Sequence, residues 1–504
     1  MSSLQPLCGL SARSSLALAA LGSLVLATLS GCGTLGPDYR RPAIPLPPGY
    51  SAAMPADAAP GVPDAWWSLF GDPALDRLEA EALAANQDLA AAAGRVEEAR
   101  ALLGLTRADR FPEVSAGLSG SRSRLSQQTS QLPPGFPLEF TRISASLDAT
   151  YEFDFWGRFA RATEAARAEL LATEEGQRNV RLGVSASVAT AYLDLLSLDR
   201  QLAIARETRT SREEAVRLQK LRYDGGTISE LDLAQAQAAL AATEAAVPAL
   251  ERALRQTEDA LGVLLGRFGG AVERGSGSGT ESGGETGLVS LTLPAVPGGL
   301  PSELLLRRPD VVAAEQGLVA ANARIGQARA AYFPSFSLTG SLGQESTVLS
   351  ELASSGAGVF SAALRLVQPI WNAGRTKRQV EGATARQHQA LAAYLKAAQS
   401  AYADVEDALA ARSTGTTERE ALARQVEALA RALHLSQLRY DAGESSYLEV
   451  LDAERGLFRA QLDATRARRD ELAAAVSLFK ALGGGWTGTG SSAEATPTAP
   501  PPVP

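Results

Sequence analysis

Residues 375–440 read RTKRQVEGATARQHQALAAYLKAAQSAYADVEDALAARSTGTTEREALARQVEALARALHLSQLRY. The stretch holds no proline and only two glycines, Gly382 and Gly415. Most of the rest is Ala, Leu, Gln, Glu and Arg, residues that lose little freedom in a helix. As one helix, its 66 residues would run about 99 Å at 1.5 Å per residue. An average globular helix has about 11–12 residues, and nothing inside a compact domain needs so long a rod. A twin without proline occupies residues 160–223. Two such rods imply a device that crosses a large gap.

Composition removes several functions. The 504 residues carry a net charge of −8, so no basic surface argues for nucleic acid. Cys8 and Cys32 are too few for a disulfide framework or a zinc cluster. His388 and His434 both fall on the long helix and read as ordinary surface residues. A catalytic triad or a histidine metal site lacks raw material. Neither an enzyme nor a cofactor is expected.

The N-terminus sets the compartment. Arg13 precedes an uncharged run, Ser14 to Ser30, which closes in Leu29-Ser30-Gly31-Cys32. Small residues just before the cysteine favour a cleaved signal peptide, residues 1–31, over a membrane helix. The tetrapeptide resembles the bacterial lipobox, which implies cleavage after Gly31 and acylation (palmitate among the chains) of Cys32. Gly33 stands where the inner-membrane retention signal has Asp, so the resemblance points to the outer membrane. Residues 32–64, rich in Pro, Ala and Gly, read as an extended tether. Trp66, Trp67 and Phe70 read as packing anchors, and Asp72-Pro73 as a helix start.

The chain is written twice. Asp88, Arg107, Ala108, Phe111 and Pro112 recur as Asp310, Arg329, Ala330, Phe333 and Pro334, an offset of 222 (310 − 88). Leu221-Arg222-Tyr223-Asp224 recurs as Leu438-Arg439-Tyr440-Asp441, an offset of 217 (438 − 221). The five extra residues of the first copy fall near QLPPGFP, 131–137. Each copy reads helix, two strands, long helix, turn, helix. The helices fall at about 73–110, 160–223 and 229–264, then 302–332, 375–440 and 446–482. The copies occupy 65–268 and 300–482, with a Gly/Ser-rich linker at 269–299 and a disordered tail at 483–504.

The strands show what the rods are attached to. Along 143–155, Ile143, Ala145, Leu147, Ala149, Tyr151, Phe153 and Phe155 alternate with Ser144, Ser146, Asp148, Thr150, Glu152 and Asp154. Residues 335–342 alternate likewise, and 113–121 and 358–367 more weakly. Such alternation marks a membrane β-strand, apolar to lipid and polar to the lumen. For a single strand a half-buried soluble sheet is the better reading. Two hairpins flanked by very long helices favour the membrane. Four strands cannot close a barrel, and lipid does not tolerate open edges. Several chains must therefore pool them, and three chains supply twelve strands.

Several stretches then converge on one family. They are WWSLFGDPALDRL (66–78), LGVLLG (261–266), LPSELLLRRPDVVAAEQGLVAANARIGQARAAYFPSFSLTG (300–340) and YDAGESSYLEVLDAE (440–454). In this order they resemble the TolC-like outer membrane factors, in the lipoprotein branch that serves resistance–nodulation–division pumps. The resemblance implies an α+β membrane protein. Its homotrimer would carry a twelve-stranded outer-membrane β-barrel, four strands per chain, continued by a long periplasmic α-helical barrel. It also implies passive efflux conduction, with an inner-membrane pump supplying energy and a periplasmic adaptor joining the two.

The far turns of the rods are Asp224-Gly225-Gly226 and Asp441-Ala442-Gly443. Gly226 and Gly443 suit helix exits with positive φ. Glu449 and Asp452 lie three apart, on one helix face, and a trimer gathers six such carboxylates around one axis. Crowded like charges repel and attract cations. By resemblance Glu449 and Asp452 match the family's acidic constriction. Asp232 and Tyr440 match a pair that ties inner to outer coil in the closed state, by a charge-assisted bond. Ser445 departs from the pattern, since TolC itself carries arginine there. The competing reading is a structural outer-membrane lipoprotein spacer, which needs the rods and Cys32 but not the alternating strands.

Overall fold

The computed structural model describes residues 34–50, 63–126, 128, 133, 137–274, 287–294 and 305–485. The signal peptide, Cys32, much of the linker, most of QLPPGFP and the tail from residue 486 lie outside them.

Helices α1 (Pro73–Ala85) and α2 (Gln87–Ala108) are followed by strands β1 (Glu113–Arg124) and β2 (Glu139–Phe153). Then come α3 (Arg158–Asp224) and α4 (Glu230–Leu264). The second copy runs α5 (Pro309–Ala330), β3 (Ser335–Ser346), β4 (Gly358–Val367), α6 (Arg375–Asp441) and α7 (Tyr447–Ala481). The expected rods are α3 and α6, each 67 residues long. The expected single helix at 73–110 is two helices, interrupted at Asn86, and in the second copy a turn at 305–307 breaks at Arg308 before α5. The breaks are repeat mates (86 + 222 = 308), and both make the same joint. Asn86 Nδ2 donates to the carbonyl of Leu264 at 2.8 Å, and Arg308 donates to that of Ala481 at 3.1 Å. Each thus satisfies a carbonyl that the end of α4 or α7 leaves without a helical partner. Periodicity continues across such a joint, which hides the break in the sequence.

The chain divides into two compact units. One comprises residues up to Ala43, Glu97–Thr173 and Ala314–Ala393. It contains one antiparallel sheet in chain order, β1-β2-β3-β4, with β2 against β3 joining the two copies. The registers Leu118↔Ala145, Ala116↔Leu147, Leu147↔Leu342 and Leu342↔Phe360 gather apolar residues on one face. Ser115↔Asp148, Asp148↔Ser341 and Ser337↔Arg365 line the other. The apolar face is bare, with Phe360 85% exposed. At the helical end of the sheet, Tyr151, Phe153, Phe155 and Phe336 form a chain of ring contacts. Trp156 stacks on Phe333 and donates to the Pro334 carbonyl at 2.7 Å. Such aromatic girdles flank the apolar band of membrane barrels.

The segment from Thr34 is strapped to the same unit. Gly36, at φ +106°, lies on Gly326 of α5 so closely that a Cβ on Gly36 would stand 2.4 Å from the Gly326 Cα. Arg161 donates to the Leu35 carbonyl and to Asp38, Asn322 to the Pro37 carbonyl, and Arg41 and Tyr39 to Glu315.

The other unit, Ile44–Val96, Glu174–Ala313 and the residues from Tyr394, has its core at the tryptophan cluster. Trp66, 1% exposed, stacks on Phe479 of α7 with Phe70 edge-on. Asp72 caps α1 by accepting from Ala74 N at 2.8 Å, and its other oxygen accepts from the buried Tyr192 hydroxyl at 2.6 Å. The tryptophans are packing anchors, as expected.

Candidate gate at the far helical turns

Rod α3 ends because Gly226 takes φ +72°, which only glycine adopts without strain. Gly226 N–H bonds the Tyr223 carbonyl and Thr227 N–H the Arg222 carbonyl, the Schellman pattern. Rod α6 ends alike at Gly443, φ +74°, with Gly443 bonded to Tyr440 and Glu444 to Arg439. Two helical hairpins result, α3/α4 and α6/α7.

Between them lies a small apolar core. Ala236 and Ala239 of α4 meet Tyr447, Val450 and Leu451 of α7, with Val216, Leu433 and Tyr440 against them. The polar contacts lie around it. The Tyr440 hydroxyl is 3.1 Å from the side-chain amide of Gln219. Arg222 sits over the Tyr440 ring, 5.1 Å from its centroid, and pairs with Asp441 at 3.3 Å. Asp232 faces its own helix start, where it accepts from Ser229 N and Oγ and completes the capping box of α4. The Tyr440 hydroxyl therefore meets Gln219, and the Asp232 carboxylate meets Ser229. Glu449 and Asp452 are both exposed on α7, and Glu449 accepts from Arg439 at 3.2 Å. The structure thus brings Tyr440, Gln219, Arg222 and Asp441 together and leaves Asp452 facing solvent.

Two turns before the Gln219 contact sits Arg212, 4% exposed. It donates to the Ala239 carbonyl at 2.9 Å and to the Thr243 hydroxyl. Its Nε lies 3.9 Å from Glu454 of α7, and the Phe458 ring lies under its guanidinium. Burial pulls the Arg212 pKa down against the attraction of Glu454, and burial pushes that of Glu454 up. The Tyr447 hydroxyl, buried beside Glu454, is pushed up to about 12 and stays protonated. Arg212, Gln219 and Arg222 were not expected from sequence. The repeat held a signal, because the mate of Arg212 is Leu429 (212 + 217) and that of Glu454 is Gln237 (454 − 217). Arg212 stands where the other copy has an apolar residue, and Glu454 where it has an uncharged amide, so the charged pair marks a contact that only one copy makes.

Paired 67-residue helices and a four-stranded sheet with a bare apolar face define a class, the channel-forming proteins of an outer membrane. The outer membrane efflux protein family model matches residues 78–267 and 300–484. The cation efflux system protein CusC of Escherichia coli is 37% identical over 92% of this chain and 97% of its own. The solvent efflux pump outer membrane protein SrpC of Pseudomonas putida is 38% identical over 93% of this chain and 98% of its own. The open state of the MtrE outer membrane channel of Neisseria gonorrhoeae superposes with TM-score 0.79 at 31% identity, covering 90% of this chain and 98% of that one. The chain belongs to the outer membrane efflux protein family. Its fold is that of the family's channels, and it is an efflux channel component of the outer membrane.

Proposed function

We propose that three copies of the chain form the duct of a tripartite efflux system. A periplasmic adaptor would receive the helical end, and an inner-membrane pump would supply the energy. The observation that carries this reading is the sheet. Its edges, β1 and β4, are unpaired among the described residues, and its apolar face is bare. Lipid demands that every edge be paired, so the sheets of several chains must close on one another. Three sheets give twelve strands, lipid outside and Asp148, Ser341 and Arg365 toward the lumen. Cys32, acylated, anchors the strap to the outer membrane.

The two hairpins of each chain narrow the duct. Glu449 and Asp452 supply six carboxylates around the axis. Arg439 offsets part of the charge at Glu449, so Asp452 carries more of the cation preference. The resting tie between hairpins is Tyr440 with Gln219, and Asp232 holds the turn of its own hairpin in place.

The test is the size and conductance of the purified Cys32→Ser protein. A detergent-solubilised trimer that forms ion-conducting pores supports the duct. A water-soluble monomer without conductance refutes it and favours a lipid-held spacer.

A further inference from the structure

The contacts between the hairpins are not spread evenly. Arg212, Val216, Gln219 and Arg222 follow one another at intervals of four, three and three, which places them on one side of α3. Each meets the α6/α7 hairpin: Arg212 at Glu454, Val216 in the apolar core, Gln219 at Tyr440, Arg222 at Asp441. Three of the four lie within about two turns of the end of α3. Arg212 lies twelve residues before Asp224, about 18 Å up the helix.

Arg212 differs from the others in being buried and half satisfied. Its two donor bonds bind it to α4, the helix of its own hairpin. Toward the other hairpin, its Nε and the Glu454 Oε2 are both buried without a hydrogen-bond partner, and they face each other at 3.9 Å. The side chains are 5% and 11% exposed, so water screens them little. An unpaired charge in such a place is costly, and among the described residues each of these two groups is the opposite charge that acts on the other. Separation of the hairpins leaves two buried charges apart.

We propose that Arg212 and Glu454 form the upper tie that holds the α6/α7 hairpin against α3/α4 and sets the level below which the tip can swing open. The inference rests on the duct reading above. Arg212 is a positioning residue: it touches no cargo and acts through Glu454 and α7. The Gln219–Tyr440 contact latches the tip, and the Arg212–Glu454 pair fixes where the swing begins. Only one repeat carries this pair, so each chain has one tied seam.

The test is single-channel recording of the full chain in planar bilayers. The channels compared are the parent, Glu454→Gln, the pair Arg212→Met with Glu454→Met, and the latch pair Gln219→Leu with Tyr440→Phe. Glu454→Gln is expected to spend about tenfold more time in a wide-conductance state, with trimer size near the parent's and a lowered melting temperature. The Met pair is expected to be equally leaky, because apolar packing replaces the charges without their tie. It decides the matter if Glu454→Gln fails to assemble. Parent-like gating in both Glu454 variants, or a Met pair that gates normally beside a leaky Glu454→Gln, overturns the tie and assigns the site to packing. A leaky latch pair beside parent-like Glu454 variants overturns the tie alone and leaves the duct standing. No conductance from any channel overturns the duct itself.

Discussion

Glu79 lies on α1 with 0% of its surface exposed and neither carboxylate oxygen hydrogen-bonded. Burial pushes its pKa from 4.5 up to about 8, and the negative charge of Asp76 pushes the same way. The nearby Ser185 hydroxyl pulls it down, by more than Asp76 raises it, without completing a well-aligned bond. The folded state therefore holds a proton that the unfolded chain releases near pH 4.5. The stability this proton contributes is full below pH 4.5 and falls as pH rises toward 8. Each pKa unit is worth about 1.4 kcal/mol, so the 3.5-unit window (8 − 4.5) sets an upper bound of about 5 kcal/mol. Glu79→Gln cannot ionise. It should match the parent near pH 5, where Glu79 is protonated, exceed it increasingly toward pH 8, and level off above that. The assay is thermal unfolding of the detergent-solubilised protein in half-unit steps from pH 5 to 9. Parallel melting curves for parent and variant would refute the reasoning, because they would mean that Glu79 has water or a cation beside it.

Two further outcomes follow from the strap and the tip. Gly326→Ala puts a Cβ 2.3 Å from the Leu35 carbonyl, so the strap must lift, and limited proteolysis should cleave within residues 34–43 faster than in the parent. Glu449→Gln with Asp452→Asn should weaken the cation preference of the reconstituted channel, and Asp452→Asn alone should account for most of it. An unaltered reversal potential across a salt gradient would count against the acidic ring.

The rods and strands could be read from sequence because their signals are local. Helix-forming residues without proline continue through α3 and α6, and period-two alternation runs through β2 and β3. The breaks at Asn86 and Arg308 were hidden because neither residue forbids a helix, and each is held out of one by a carbonyl 178 or 173 positions away. The contacts at the far turns were legible in part. Glu449 and Asp452 share a face by spacing alone, whereas the partner of Tyr440 depends on which residue of α3 sits opposite when the hairpins close. Gln219 takes that place through helix phase, 221 residues away. The strap reads from sequence as an extended tether because it is rich in Pro, Ala and Gly. Its order comes from Arg161, Glu315, Asn322 and a glycine-to-glycine contact.

The joints at Asn86 and Arg308 also have a mechanical meaning. The 67-residue helices α3 and α6 carry load through an unbroken ladder of backbone hydrogen bonds. Where α4 ends at Asn86 and α7 at Arg308, continuity passes through a few side-chain bonds, each worth about 1 kcal/mol. Under bending or torsion these splices yield before the ladders do. A strain reaching these joints would therefore be taken up at two matched places in each chain, Asn86 and Arg308.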